Sequence, residues 1–185
     1  MNYAVAFQEG HAYQDFLQKY GTNEQRRRWQ DFAQSLQLTA EQTALLKSFV
    51  REMKVLVMAG TWCGDCVNQC PIFELFAQTN PCIQVRFVDR DDSPELAAEL
   101  ATCGGARVPC VVFLSEDGHV CGRYGDRTLS KYRSVVSSLA GASCPTGLAT
   151  NADLTAAVMQ DWLNEFERIQ WMLRTSSRLR QLHQD

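Results

Sequence analysis

The chain has 185 residues, a length that supports one compact core with appended elements and needs no disulfide staples. Its eight cysteines fall below the density of small secreted disulfide scaffolds, and its net charge of −3 gives no general attraction to nucleic acid or anionic lipid. No secretory signal pattern and no apolar stretch near the roughly 20 residues that cross a bilayer are evident, so we expect a cytoplasmic protein with mostly reduced thiols and with no membrane or nucleic-acid partner.

Residues 1–52 are predicted to form a helical extension. The sequences "TNEQ" and "TAEQ", which begin at Thr22 and Thr39, both fit the capping box that satisfies free amides at a helix start. The opening "MNYAVAF" alternates in hydropathy and is interpreted as a short strand. Apolar residues after the second box recur at helical spacing and are expected to bury one stripe: Leu45, Leu46, Phe49 and Val50.

Residues 53–140 are predicted to form the core of an α/β domain. The predicted strands are "KVLVMAG", "IQVRFVD" and the two arms of the hairpin "PCVVFLSEDGHVCGRYG", which turns at Asp117–Gly118. The predicted helices are "VNQCPIFELFAQ", which Pro71 would bend, "SPELAAELA", which Ser93 would cap, and "TLSKYRSVVSSLA".

Residues 141–185 are predicted to form a linker and one amphipathic helix. Gly, Pro, Ser and Thr dominate residues 141–150 and indicate the linker. The helix is indicated by a helically spaced set of apolar residues: Leu154, Ala157, Val158, Trp162, Leu163, Phe166, Ile169 and Leu173. We expect this helix to pack against the N-terminal helices, in the same subunit or in a homodimer formed through the helical extensions.

Two cysteines follow the first predicted strand and open the next helix, in the sequence "TWCGDC". Free amides and the dipole at a helix start favour an anion, so the pKa of Cys63 is expected to fall from about 8.5 into the range of about 3.5–7.5. Cys63 is therefore the candidate nucleophile. Cys66, one turn later, lies in position to attack a mixed disulfide formed at Cys63.

A metal site and a pair of small buried residues are the alternatives for these cysteines. Cys63, Cys66 and Cys70 supply three thiolates on one short segment, without a second close pair of zinc ligands or an evident fourth cluster ligand. No metal is therefore expected. Cys70 and Cys110 are interpreted as buried core residues, although Cys70 is also a candidate third redox thiol.

Four further features accompany the strand that precedes the cysteines. They are the motif "WCGDC", Pro71 five residues after Cys66, the sequence "RVPC" around Pro109, and Gly125 at the end of the hairpin. Together they resemble the thioredoxin family over residues 54–140, with Pro109 at the place of that family's cis-proline. The resemblance implies a thioredoxin-like fold, a central mixed β-sheet flanked by helices, here with extra helices at both ends.

The resemblance also implies roles for residues around the cysteines. Trp62 would shield one side of the site, and Val108–Pro109 would offer backbone for pairing with an extended substrate peptide. Arg107 would lie on the same rim, where its charge would favour a thiolate, or where it would simply be solvated.

The two residues between the cysteines, Gly64 and Asp65, differ from the family's common Gly-Pro. The preceding strand lacks the buried acid that the family often carries, so proton transfer from Cys66 would need water or Asp65. The Asp65 carboxylate is also expected to repel a Cys63 thiolate and to hold the pair toward the reducing end.

The resulting hypothesis is a thioredoxin-like protein-disulfide reductase that contributes to cell redox homeostasis. It would reduce disulfide-containing protein substrates through Cys63 and Cys66, with electrons from a separate reductase and no cofactor beyond the redox-active disulfide. One rival is a non-redox binding module that uses its helical extensions. The other is a disulfide oxidase or isomerase, a role that usually belongs in an oxidising compartment.

Overall fold

The structure is a computed structural model that describes residues 2–140 and 154–185. The strands are β1 Met53–Ala59, β2 Ile83–Asp89, β3 Cys110–Ser115 and β4 Val120–Gly125. Within the described residues they form one sheet in the order β2–β1–β3–β4, with β1 parallel to β2 and the other pairs antiparallel. The predicted central mixed sheet is therefore confirmed, and β1 lies inside it. The predicted linker, residues 141–150, lies outside the described residues.

Helices precede, interrupt and follow the sheet. Before it lie α1 Tyr3–Glu9, α2 Tyr13–Tyr20, α3 Asn23–Ser35 and α4 Ala40–Lys47. Between and after the strands lie α5 Gly64–Val67, α6 Cys70–Thr79, α7 Pro94–Glu99 and α8 Leu129–Ala140. The C-terminal helices are α9 Leu154–Thr175 and α10 Ser177–His183. In the part of the chain that the structure describes, none of these helices is both long and apolar enough to cross a membrane.

The N-terminal helices begin where their capping residues predict. Both capping boxes are present, at the starts of α3 and α4. The strand predicted for "MNYAVAF" is wrong, because this segment is the helix α1. Its start is capped by Asn2, whose side chain accepts hydrogen bonds from the amides of Ala4 and Val5, and its Phe7 is buried.

The predicted apolar stripe after Thr39 is only partly buried. Leu46 and Phe49 are buried and Leu45 is partly buried, but Val50 is 57% exposed. The reason is that α4 ends at Lys47, so the residues beyond it no longer follow the helical period.

The helix predicted to carry a bend at Pro71 is two helices, α5 and α6. Pro71 lies in the first turn of α6 and not in a helix interior. Proline has no amide hydrogen, so it cannot donate to the carbonyl of Val67 and continue α5, whereas the first turn of a helix needs no such donor. Asn68 and Gln69 separate the two helices.

The N-terminal segment covers the outer edge of the sheet. His11 and Phe87 of β2 exchange two backbone hydrogen bonds of 2.8 Å each. Tyr13 and Phe16 of α2 then pack their rings against Phe87, with centroids 5.7 and 5.5 Å away. Backbone groups of β2 that would otherwise be unpaired at this edge are thereby partly satisfied.

The C-terminal helix α9 completes the core. The ring of Phe166 lies edge-on to those of Phe76 in α6 and Phe113 in β3, with centroids 5.1 Å apart in each case. Trp162 packs in the same way against Tyr124 of β4, at 4.9 Å. The apolar stripe of α9 is therefore buried within its own chain.

The α9 helix also contacts the N-terminal extension, as predicted, but this contact is smaller than its contact with the core. Gln160 and Gln42 share a hydrogen bond of 3.0 Å. The Gln170 side chain accepts from the amides of Val50 and Arg51 and donates to the Arg51 carbonyl. The prediction missed the larger contact because an apolar stripe does not reveal which surface will cover it.

Phe166→Ala is expected to lower the free energy of unfolding by about 3–5 kcal/mol, because it removes a buried ring and leaves a cavity between α6 and the sheet. Trp171→Ala is the matched control on the same helix, since Trp171 is 45% exposed, and it should change stability by about 0.5 kcal/mol or less. Urea unfolding measures both. Equal stability of the two variants would contradict the packing of α9 described above.

Candidate redox site

Cys63 lies at the junction between β1 and α5. The chain turns there because the Cys63 amide donates to the Gly60 carbonyl at 3.0 Å, and Cys63 is the N-cap residue of α5. Its Sγ donates to the carbonyl oxygen of Val108 at 3.5 Å, and the peptide bond between Val108 and Pro109 is cis. Two segments that lie far apart in the sequence therefore meet at this sulfur.

The second thiol of the pair is deeper than the first. Cys66 is fully buried, and burial raises the pKa of its thiol well above the usual value, because a thiolate there would lose its water. The pKa of Cys63 is raised as well, first by its hydrogen bond with Cys66 and then by partial burial. The amides of Cys66 and Asp65 oppose this rise, but less strongly. The predicted lowering of the Cys63 pKa is therefore wrong for the reduced pair.

Trp62 forms one wall of the site and is 43% exposed. The guanidinium of Arg90 lies 4.3 Å from its ring centroid, a cation–π contact. Gly60 lies close to the indole, and a Cβ added to it would stand 2.7 Å from the ring. The Thr61 carbonyl accepts a hydrogen bond of 3.0 Å from the Trp29 indole, so α3 holds the loop that carries Trp62.

Asp65 is paired with two cations, one just before α8 and one within it. Arg127 Nε donates to Asp65 Oδ2 at 2.8 Å, and Lys131 Nζ lies 3.8 Å from Oδ1. The side chain of Asp65 is only 16% exposed. Asp65 is therefore not an unpaired carboxylate, since its charge is compensated within the protein and ties α5 to α8. That it holds the cysteine pair toward the reducing end stays a prediction.

Asp126 forms a second compensated pair nearby. It is buried, accepts a short hydrogen bond from the Tyr132 hydroxyl, and has Oδ2 3.4 Å from Arg107 Nη1. Burial alone would raise the pKa of Asp126, but the hydrogen bonds from Tyr132 and from its own amide, together with Arg107, hold it below the usual value. The sequence left two roles open for Arg107, favouring a thiolate or simple solvation. In the structure its guanidinium forms an ion pair with Asp126.

Two glycines near the site differ in how much space surrounds them. Gly125 has φ of 122°, and a Cβ added to it would lie 2.4 Å from the Pro109 carbonyl oxygen, so the proline loop requires a glycine there. A Cβ at Gly64 would meet nothing within 4 Å. Gly64 is therefore not required by packing, and it leaves the approach to Cys63 open.

The other described cysteines carry no built site. Cys70 and Cys110 are buried, as predicted, and every cysteine in residues 2–140 is free. Across the described ranges, no group of three or more Cys, His, Asp and Glu side chains is arranged to hold a metal ion. Cys144 lies outside them.

Sequence reasoning missed the polar residues that surround the pair. Asp126 and Arg127 directly follow Gly125, so two charges at the end of the hairpin were a usable signal. Gln69 and Trp162 gave none, because they meet across 93 residues of sequence, where the indole N–H donates to the amide oxygen of Gln69 at 2.9 Å.

A family model for thioredoxin matches residues 10–137, which is more than half of the chain. The chain belongs to the thioredoxin family. No curated protein matches this thioredoxin-family chain.

Two matching solved structures share this fold, and a third match is a thioredoxin. A protein of unknown function from Pseudomonas aeruginosa is 20% identical with a TM-score of 0.73, covering 91% of this chain and 96% of that one. An HIV epitope-scaffold is 20% identical with a TM-score of 0.66, covering 89% and 99%. A Fasciola hepatica thioredoxin is 26% identical with a TM-score of 0.36, covering 54% and 91%.

Asp126→Asn is expected to lower the free energy of unfolding by about 1–3 kcal/mol at neutral pH, because the buried ion pair and a charged hydrogen bond are lost. The carboxylate pKa is lowered by folding, so this stabilisation is present above the usual value of about 3.9 and is lost as pH falls through the lowered pKa. Urea unfolding of wild type and variant across this range should show their difference shrinking at the acid end. A difference that is the same at every pH would contradict a charged Asp126.

Proposed function

We propose that this protein is a thiol–disulfide oxidoreductase that reduces disulfides in protein substrates through Cys63 and Cys66. The observation that carries the proposal is the meeting of Cys63 Sγ with the Val108 carbonyl beside Pro109, with a second, buried thiol one helical turn away. Membership of the thioredoxin family supports disulfide chemistry at this position.

The reaction begins when Cys63 loses its proton and its thiolate attacks one sulfur of the substrate disulfide. A bond forms between Cys63 Sγ and that sulfur, and the other substrate sulfur leaves as a thiolate. Cys66 then loses its proton and attacks Cys63 Sγ, which breaks the mixed disulfide and releases the second substrate thiolate. The protons of Cys63 and Cys66 pass to water and then to the two substrate thiolates. The substrate thus gains two electrons and two protons, and the enzyme is left with a Cys63–Cys66 disulfide.

The positions of the two sulfurs favour this division of roles. Cys63 is partly exposed beside Trp62, whereas Cys66 is fully buried, with hydrogen bonds to the thiols of Cys63 and Cys70. A substrate sulfur therefore meets Cys63 first. A substrate segment that pairs with the backbone near Val108 would bring its disulfide to Cys63. The exposed face of Trp62 would contact the same segment.

A second enzyme must return the protein to the dithiol form. We propose a separate reductase as the electron donor, since each cycle leaves the cysteine pair oxidised and two electrons must be returned to it. A reducing compartment such as the cytoplasm suits this direction of exchange.

Cys66→Ser is expected to accumulate disulfide-linked complexes with substrate proteins through Cys63, because the step that releases the substrate is removed. Non-reducing electrophoresis and mass spectrometry identify the bond. Cys63→Ser should form none and should lose disulfide reduction. Cys82→Ser serves as the cysteine control, because Cys82 lies beside the start of β1, where its carbonyl accepts from the Met53 amide, and it should reduce disulfides as the wild type does. Full turnover by Cys63→Ser would contradict the proposal.

A further inference from the structure

Gln69 is a buried polar side chain that makes three hydrogen bonds beside the cysteine pair. Its Nε2 donates to the carbonyl of Asp65 at 3.2 Å and to the carbonyl of Asp126 at 3.1 Å. Its Oε1 accepts from the indole N–H of Trp162, which is itself fully buried, at 2.9 Å. The three partners come from α5, from the loop after β4 and from α9.

The hydrogen bond from Gln69 Nε2 to the Asp65 carbonyl replaces a backbone hydrogen bond that is missing before Pro71. In a continuous helix the Asp65 carbonyl would accept from the backbone amide of Gln69, four residues on. Here that amide bonds instead to the Cys66 carbonyl, at 3.3 Å. The side-chain amide of Gln69 takes the vacant place, so the turn that carries Cys66 is closed by a side chain.

Trp162 determines which way the Gln69 amide points. An indole N–H only donates, and the carbonyls of Asp65 and Asp126 only accept. Only the orientation with oxygen toward Trp162 and nitrogen toward both carbonyls satisfies all three partners. The C-terminal helix thus fixes a group that closes the turn of Cys66.

The same amide connects that turn with the opposite wall of the site. Asp126 follows Gly125, the residue that packs directly against the carbonyl of Pro109. Gln69 is therefore bonded to the two backbone segments that flank the sulfurs, one carrying Cys66 and the other next to the proline loop.

We propose that Trp162 is a positioning residue for the redox pair, acting through Gln69. This proposal rests on the proposed function. The indole keeps the turn that carries Cys66 closed. The two sulfurs are thereby held at a high effective concentration for each other. When the turn is held, the Cys63–Cys66 disulfide is favoured over the dithiol. The reduction potential then depends on a residue of the C-terminal helix that touches neither sulfur directly.

The test measures the equilibrium reduction potential of the full-length protein in glutathione or dithiothreitol buffers. Trp162→Phe keeps a buried ring but removes the indole N–H, which leaves the Gln69 oxygen without its donor. A tenfold fall in effective concentration would raise the potential by about 30 mV. Gln69→Leu should raise it by at least as much, because it also removes the bonds to Asp65 and Asp126, and the double variant should match Gln69→Leu, because Trp162 acts only through Gln69.

Two controls separate positioning from stability. Trp171→Phe removes the same N–H group from the same helix, where it bonds to Glu167 at an exposed position, and should leave the potential unchanged. Phe166→Leu loosens the core around α9 without touching Gln69, so it should lower the melting temperature but leave the potential at the wild-type value.

The inference is overturned if Trp162→Phe and Gln69→Leu keep the wild-type potential, if their effects add in the double variant, or if Phe166→Leu shifts the potential equally. These results would leave the proposed function standing, because the wild type would still have a measured potential. A wild-type protein that forms no reversible Cys63–Cys66 disulfide would instead overturn the proposed function itself.

Discussion

Pro71 imposes the constraint on which the candidate site depends. Because it has no amide hydrogen, the helix that follows Cys63 stops after one turn and a second helix starts at Cys70. The break leaves backbone groups beside Cys66 that need partners inside the core, and Gln69 supplies one of them. The arrangement of the sulfurs is thus set by hydrogen bonds from several parts of the chain and not by a single continuous helix.

The charges around the pair are compensated within the protein. Asp65 is paired with Arg127, and Asp126 with Arg107 and Tyr132. Because opposite charges lie within a few ångströms of each other, their net effect on a thiolate is small compared with that of burial and of the hydrogen bond between the two thiols. These pairs act mainly as ties that hold α5 and the proline loop to the start of α8.

The sequence was informative wherever the signal was local. The capping boxes, the strand before Cys63 and the glycine turn of the hairpin each depend on neighbouring residues, and all are found in the structure. The segment "MNYAVAF" shows the limit, since its hydropathy alternates like a strand although it is a helix capped by Asn2. The contact between Gln69 and Trp162 could not be predicted, because a hydrogen bond across 93 residues leaves no local pattern in the sequence.

The C-terminal helix links the fold to the proposed chemistry, since α9 fills the core with Phe166 and reaches Gln69 with Trp162.

The most direct test of the account is mass spectrometry of the wild-type protein after equilibration in glutathione buffers and alkylation of the remaining thiols. The account predicts one two-electron transition in which Cys63 and Cys66 each carry an alkyl group when reduced and neither does when oxidised, while Cys70 is alkylated at every ratio. A pair that remains reduced at every ratio, or a disulfide that includes Cys70, would contradict it.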